Sequence, residues 1–128
     1  MTKEDLSRYY YLMKEVKQIE NKIEEINSIF MRASLINCEK FEKHLSNPQE
    51  KRMILIEKYE NKLEEAKNRA LEEAIKIESY INNITDAETR MIFRYRYIEF
   101  KKWSEIAKSM YMSLSLIYLK HKEQLKLN

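Results

Sequence analysis

A chain of 128 residues without a single glycine, and with only one proline, is restricted in how it can turn. Glycine adopts left-handed backbone conformations without steric penalty, and tight hairpin loops and phosphate-cradling loops depend on it. Its absence argues against a β-sandwich and against a Gly-rich nucleotide loop. The remaining composition, 35% charged and 44% hydrophobic with abundant Glu, Lys, Ile and Leu, describes a mostly helical protein. The length suits one ordinary domain, or a small domain on an elongated helical arm.

Two long amphipathic helices are expected in the first two thirds. Thr2 and Asp5 can cap a first helix over residues 3 to 31, in which Tyr9, Met13, Val16, Ile19, Ile23, Ile26, Phe30 and Ala33 recur by threes and fours. Such a seam asks for a partner helix, while the Lys and Glu between its positions form a solvated face. Tyr9, Tyr10 and Tyr11 in a row suit either a stacking surface for bases or the edge of a helix packing face, and packing is the commoner use. Residues 32 to 47 interrupt the pattern: Ala33, Leu35, Ile36, Phe41 and Leu45 are apolar enough to fold back as a short helix, or the chain reverses direction there. Asn47, Pro48 and Glu50 then make the strongest helix start in the sequence. From Met53 through Ile56, Tyr59, Leu63, Ala66, Ala70, Ala74, Ile77, Ile81 and Ile84 a second seam ends near Asn82 and Asn83, with its alanines allowing close approach. The simplest arrangement is a long antiparallel helical hairpin, coiled-coil-like, over residues 1 to 84. Two helices leave part of each seam uncovered, so the arm is expected to self-associate, a dimer being favoured, or to pack on the remainder of the chain.

No chemistry of bond-making is visible. Cys38 and His44, with only His121 elsewhere, do not make a zinc set, and the single cysteine excludes an internal disulfide and suits a reducing cytosol. No nucleophile and base constellation stands out. The expectation is a non-enzyme without metal, cofactor or small-molecule substrate. The amino terminus lacks the apolar core of a signal peptide, and no apolar run approaches membrane-spanning length, which points to the cytoplasm and away from a membrane.

Residues 85 to 128 carry the functional signal. Thr85 and Glu88 form a capping box, after which Met91, Ile92, Tyr95 and Ile98 share a face. A polar break at Lys101 and Lys102 precedes a two-turn amphipathic helix with Trp103, Ile106, Ala107 and Met110. Ser113 can cap a last helix whose inner face takes Leu116 or Ile117, then His121 and Leu125. Three helices so spaced read as a helix-turn-helix unit. From Asp86 onward the chain carries nine Lys or Arg against five Asp or Glu, leaving 15 against 16 before it, so this end is the basic one.

The run from Arg96 to His121 resembles, without gaps, the region 4 helix-turn-helix of sigma-70-type factors. It is most similar to the version ending small phage and prophage proteins of Gram-positive bacteria, the ArpU/RinA-type late transcriptional regulators. Arg96, Tyr97, Ile98, Glu99, Trp103, Glu105, Ile106, Ala107, Tyr118 and His121 fall on residue types favoured there. Phe100 and Tyr111 stand where that family usually has glycine. A bulky residue is strained at positive φ, so the turn after Met110 is expected to differ in geometry. The start of the last helix, Ser113-Leu114-Ser115-Leu116, holds no Arg, Asn or Gln for bidentate base contacts.

The resemblance implies an all-α protein whose C-terminal head binds double-stranded DNA as a transcription regulator, with RNA polymerase as a second partner that an apolar Leu114 and Leu116 surface would suit. Lys101, Lys102, Lys108, Lys120 and Lys122 are the expected phosphate contacts, and Ser113, Leu114, Ser115 and Tyr118 the expected contacts to base edges. Two other uses fit the same pattern. One is a DNA-packaging or virion assembly component of the small-terminase kind, the other a coiled-coil adaptor with a degenerate helix-turn-helix.

Overall fold

The computed structural model describes residues 1–36 and 48–127, and every regular element among them is helical. Helices α1 (Lys3–Ile36, 34 residues) and α2 (Pro48–Asn82, 35 residues) are each about 50 Å long at the standard rise. Three short helices follow, α3 (Ala87–Phe93), α4 (Trp103–Met110) and α5 (Leu114–Lys126), with one π-helical turn, Arg94–Ile98, continuing α3. Helix α1 runs past its expected end at residue 31. The expected reversal of the chain, with Cys38, His44 and the Asn47 cap, lies outside the described residues. No described helix is long and apolar enough to cross a membrane.

The chain forms two compact units, Lys14–Asn68 on one hand and Met1–Met13 with Arg69–Asn128 on the other. In the first, Val16, Ile26 and Ala66 are buried and Ile19, Ile23, Ile56, Tyr59 and Leu63 are half-buried, as the seams require. Met53, expected to open the second seam, is 69% exposed. The inward place beside it belongs to Arg52, which is half-buried and donates from Nη2 to Asn27 Oδ1 at 2.8 Å.

The second unit is where the C-terminal helices are held. Its main core joins Leu6 of α1, Ile77 and Ile81 of α2, Ile84, Phe93 and Tyr97, with Tyr9, Tyr80, Ile98 and Leu125 around them. Ile92, Ile106 and Ile117 form a second cluster with Tyr95, Trp103, Ala107, Met110 and Met112. The expected division at residue 84 would cut the main core, separating Ile77, Ile81 and Ile84 from Phe93 and Tyr97. Full burial of each aliphatic side chain contributes on the order of 1.5–3 kcal/mol. Thr2 and Asp5 cap α1 reciprocally, Asp5 N–H donating to Thr2 Oγ1 at 3.2 Å and Thr2 N–H to Asp5 Oδ2 at 3.0 Å. That hydrogen bonding holds the Asp5 carboxyl below its usual pKa.

Three local expectations are corrected here. The cap of α3 is Asp86, not Thr85 with Glu88: Asp86 Oδ2 accepts from Thr89 N–H at 3.2 Å and from its hydroxyl at 2.7 Å. Thr85 is used otherwise, its carbonyl and that of Ile84 accepting from Arg90 Nη1 at 3.2 and 2.7 Å, which closes the turn after α2. Secondly, the inner face is Thr89, Ile92, Phe93 and Tyr97, while Met91 is 43% exposed. Thr89, Phe93 and Tyr97 stand four residues apart on one face, and beyond Phe93 the helix widens into a π turn in which Glu99 N–H reaches back to the Arg94 carbonyl. Thirdly, the turn after Met110 keeps the left-handed geometry without glycine. Tyr111 has φ 54°, its N–H donates to the Lys108 carbonyl, and Met112 N–H donates to the Ala107 carbonyl, the double closure of a Schellman motif. Phe100, at φ 58°, is left-handed too and ends the π turn, after which Lys101 N–H donates to the Tyr95 carbonyl at 2.8 Å.

Candidate nucleic-acid interface

The candidate interface consists of α4, the Tyr111 turn and α5, and its position is set by one aromatic stack. His121 projects inward from α5 against Phe93, Tyr97 and Trp103, with ring centroids 5.1, 5.7 and 4.8 Å away, and its Nε2 lies 2.6 Å from the Tyr97 hydroxyl. Burial, then the charges of Lys3 and Arg96, lower the His121 pKa to about 4, while burial raises the Tyr97 hydroxyl to about 12. Both groups are therefore neutral at pH 7, and a neutral pair sharing one proton is what this buried site accommodates. Ile117, one turn earlier, is fully buried, so of the two expected inward residues Ile117 is inside and Leu116, 38% exposed, is outside.

With Ile117 and His121 inward, the helical period of about 100° per residue turns Ser115, Leu119 and Lys122 outward and places Tyr118 at their edge. All four are exposed. Ser113 Oγ accepts from Leu116 N–H at 3.2 Å and caps α5, which commits one lone pair of the group expected to touch a base. Leu114 is 39% exposed, and Tyr118, 46% exposed, meets Trp103 edge to face at 5.4 Å.

The five expected phosphate contacts do not form one set. Lys102, Lys108 and Lys122 are exposed and take part in no ion pair among the described residues. Lys102 lies at the N-terminus of α4, which has no side-chain cap, and such a terminus favours an anion. Lys101 is half-buried with its Nζ 4.4 Å from the centre of the Tyr95 ring. Lys120 is removed from the set: its Nζ lies 3.1 Å from Asp86 Oδ2 and 3.2 Å from Glu88 Oε2. This pairing arises because α5 passes the N-terminus of α3, where both carboxylates stand. Hydrogen bonds from Thr89 and then Lys120 hold Asp86 down to about 2, and those to Asp86 and Glu88 hold Lys120 above its usual value.

The sequence did not single out Arg94 or Arg96 as members of a site. Arg94 is spent within the fold, donating to Glu78 Oε2 and Asn82 Oδ1 at 2.7 Å each. Arg96 is half-buried, lies 4.6 Å over the Trp103 ring and donates to the Lys101 carbonyl at 3.1 Å. Its closeness to the α4 N-terminus could have been suspected from the five-residue spacing to Lys101 but not its stacking. Among the described residues no group of three or more His, Cys, Asp or Glu could hold a metal ion. Comparisons with protein-family models, with curated proteins and with solved structures find no match to this chain.

Proposed function

We propose that α4 and α5 act as a helix-turn-helix on double-stranded DNA, and that the chain is a transcription regulator of the phage and prophage kind that its sequence resembles. The observation that carries this reading is the free outer face of α5. Ser115, Tyr118, Leu119 and Lys122 are exposed, behind a helix fixed by Ile117 and His121, and Lys102 and Lys108 offer unpaired cations on α4. In this reading α5 enters the major groove while Lys102, Lys108 and Lys122 meet phosphates. Without bidentate base readers, affinity comes mainly from phosphates and is weak and nearly indifferent to sequence. The reading also takes α1 and α2 as an antiparallel hairpin, for which one cross-helix contact in each unit speaks: Arg52 with Asn27, and Arg8 with Glu73. A dimer formed through the arm would bring two heads to one duplex.

A salt titration on random duplex tests the proposal. With three phosphate contacts the logarithm of the binding constant falls against log salt with a slope of about −2.7. Lys122→Ala flattens that slope by about one unit. Absence of any binding at low salt would refute the duplex reading and favour a protein partner. A specific observation supports that second reading: Leu116 and Leu119, 38% and 51% exposed, are neighbours three apart on the outer side of α5, an apolar patch suited to polymerase or another protein.

A further inference from the structure

The candidate duplex interface leaves unexplained the three consecutive tyrosines of α1. In the unit that holds the C-terminal helices, Tyr10 and Tyr11 line an open cleft of about 410 Å³ together with Arg96, Tyr97, Phe100 and Lys102. The volume lies within the range of small-molecule sites. Phe100 takes the left-handed conformation at φ 58°, and its ring is held against Tyr9 at 5.3 Å and Tyr10 at 5.2 Å. A strained backbone at the wall of a cleft is a reason to look for a ligand. Tyr10 and Tyr11 meet edge to face at 5.4 Å and remain 38% and 66% exposed. No carboxylate lines the cleft, whereas two cations do: Arg96, with donors beyond the one given to the Lys101 carbonyl, and exposed Lys102.

We infer that this cleft binds one unpaired nucleotide, the base stacking on the more exposed Tyr11 ring and meeting Tyr10 edge-on, with the 5′-phosphate between Arg96 and Lys102. The chemistry favours a nucleotide over a simple anion because aromatic side chains line the cleft together with the two cations. It favours an unpaired base because a base in a duplex has no face to offer. Every base has a π-face, so the site selects single strands without selecting sequence. This site shares Lys102 with the duplex reading but takes no lining residue from α5, so the tyrosine variants separate the two. A strand and a free nucleotide offer the same base and phosphate, and the test separates them.

The probe is a twelve-nucleotide thymidine strand, compared with an abasic strand carrying the same phosphates, by fluorescence anisotropy on the full chain. The wild type is expected to prefer the thymidine strand at least fivefold, the affinity of one stacked base. In Tyr10→Leu/Tyr11→Leu that preference falls to about one, while affinity for a random duplex stays within twofold. Tyr11→Leu alone, at a ring 66% exposed, supplies the same comparison if the double variant fails to fold, with a partial loss expected. Lys102→Ala weakens both strands alike. Millimolar dTMP displaces the strand if the cleft takes a single nucleotide wherever it comes from; failure to displace it restricts the site to strands. Equal affinity for the two strands in the wild type, or a preference that survives loss of the tyrosine rings, overturns the inference. Loss of duplex binding with the strand preference intact would sink only the helix-turn-helix reading.

Discussion

Phe100 and Tyr111 share one backbone conformation, and glycine should affect them in opposite directions. At φ 58° and 54° both are left-handed, a conformation that costs a residue with a Cβ roughly 1–2 kcal/mol. Tyr111 is 97% exposed and lies outside both hydrophobic clusters, so Tyr111→Gly relieves the backbone and loses almost no packing. Against this relief stands the greater chain entropy of glycine in the unfolded state, about 0.5–1 kcal/mol. The net expectation is a gain of about 0.5–1 kcal/mol. Phe100→Gly obtains the same relief but removes a half-buried ring packed on Tyr9 and Tyr10. A fully buried Phe costs about 3–5 kcal/mol to truncate, so a half-buried one costs roughly 2 and the net effect is a loss of about 1–2 kcal/mol. Urea denaturation followed by far-UV circular dichroism gives both numbers at unchanged slope. Changes of the same sign at the two sites would refute the assignment of strain to the backbone and of compensation to the Phe100 ring.

The remaining expectations concern the head and its core. His121 has a folded-state pKa depressed to about 4 from 6.5, so its stabilising contribution is complete above pH 6.5 and is lost as the pH falls toward 4. At about 1.4 kcal/mol per unit that amounts to about 3 kcal/mol, and His121→Phe should flatten this part of the stability profile; an equal decline in the variant contradicts the buried neutral imidazole. Ser113→Ala removes the cap of α5 and should cost about 1 kcal/mol in denaturant midpoint measurements, Ser113→Gly only a few tenths. Leu6→Ala, at a side chain with no exposure, should cost about 3–5 kcal/mol and lower the melting temperature of the C-terminal helices with that of α1; separate, unshifted melting of those helices would contradict the shared core. Lys120→Ala should leave the salt slope of duplex binding unchanged, because Asp86 and Glu88 already hold that ammonium; a slope flattened by a full unit would show it on a phosphate.

Much of this architecture was legible wherever the signal is local. The extent of α4, the Ser113 cap and the inward register of His121 follow from residues within a turn or two of one another, and the two seams follow from a period sustained over many turns. What escaped depends on phase or on distance. The choice of Phe93 and Tyr97 over Met91 for the inner face is made by packing against Leu6, Ile77 and Ile81, which lie elsewhere in the sequence. Lys120 meets Asp86 across 34 residues, so its loss from the phosphate set could not be read from composition. The glycine-free turn at Tyr111 was expected to deviate from the left-handed form. It does not, because its two closing hydrogen bonds offset a modest penalty. The cleft was not legible: the three adjacent tyrosines read more readily as a packing edge, and only the fold brings Arg96 and Lys102 to Tyr10 and Tyr11.

The central claim is that α5 presents its outer face to a duplex. Amide chemical shifts of the isotope-labelled chain, titrated with a random twelve-base-pair duplex at low salt, address it directly. The expected perturbations concentrate at Lys102, Lys108, Ser113, Ser115, Tyr118, Leu119 and Lys122, and fade as salt is added. Perturbations confined to α1 and α2, or none at these positions while the duplex binds, would contradict it.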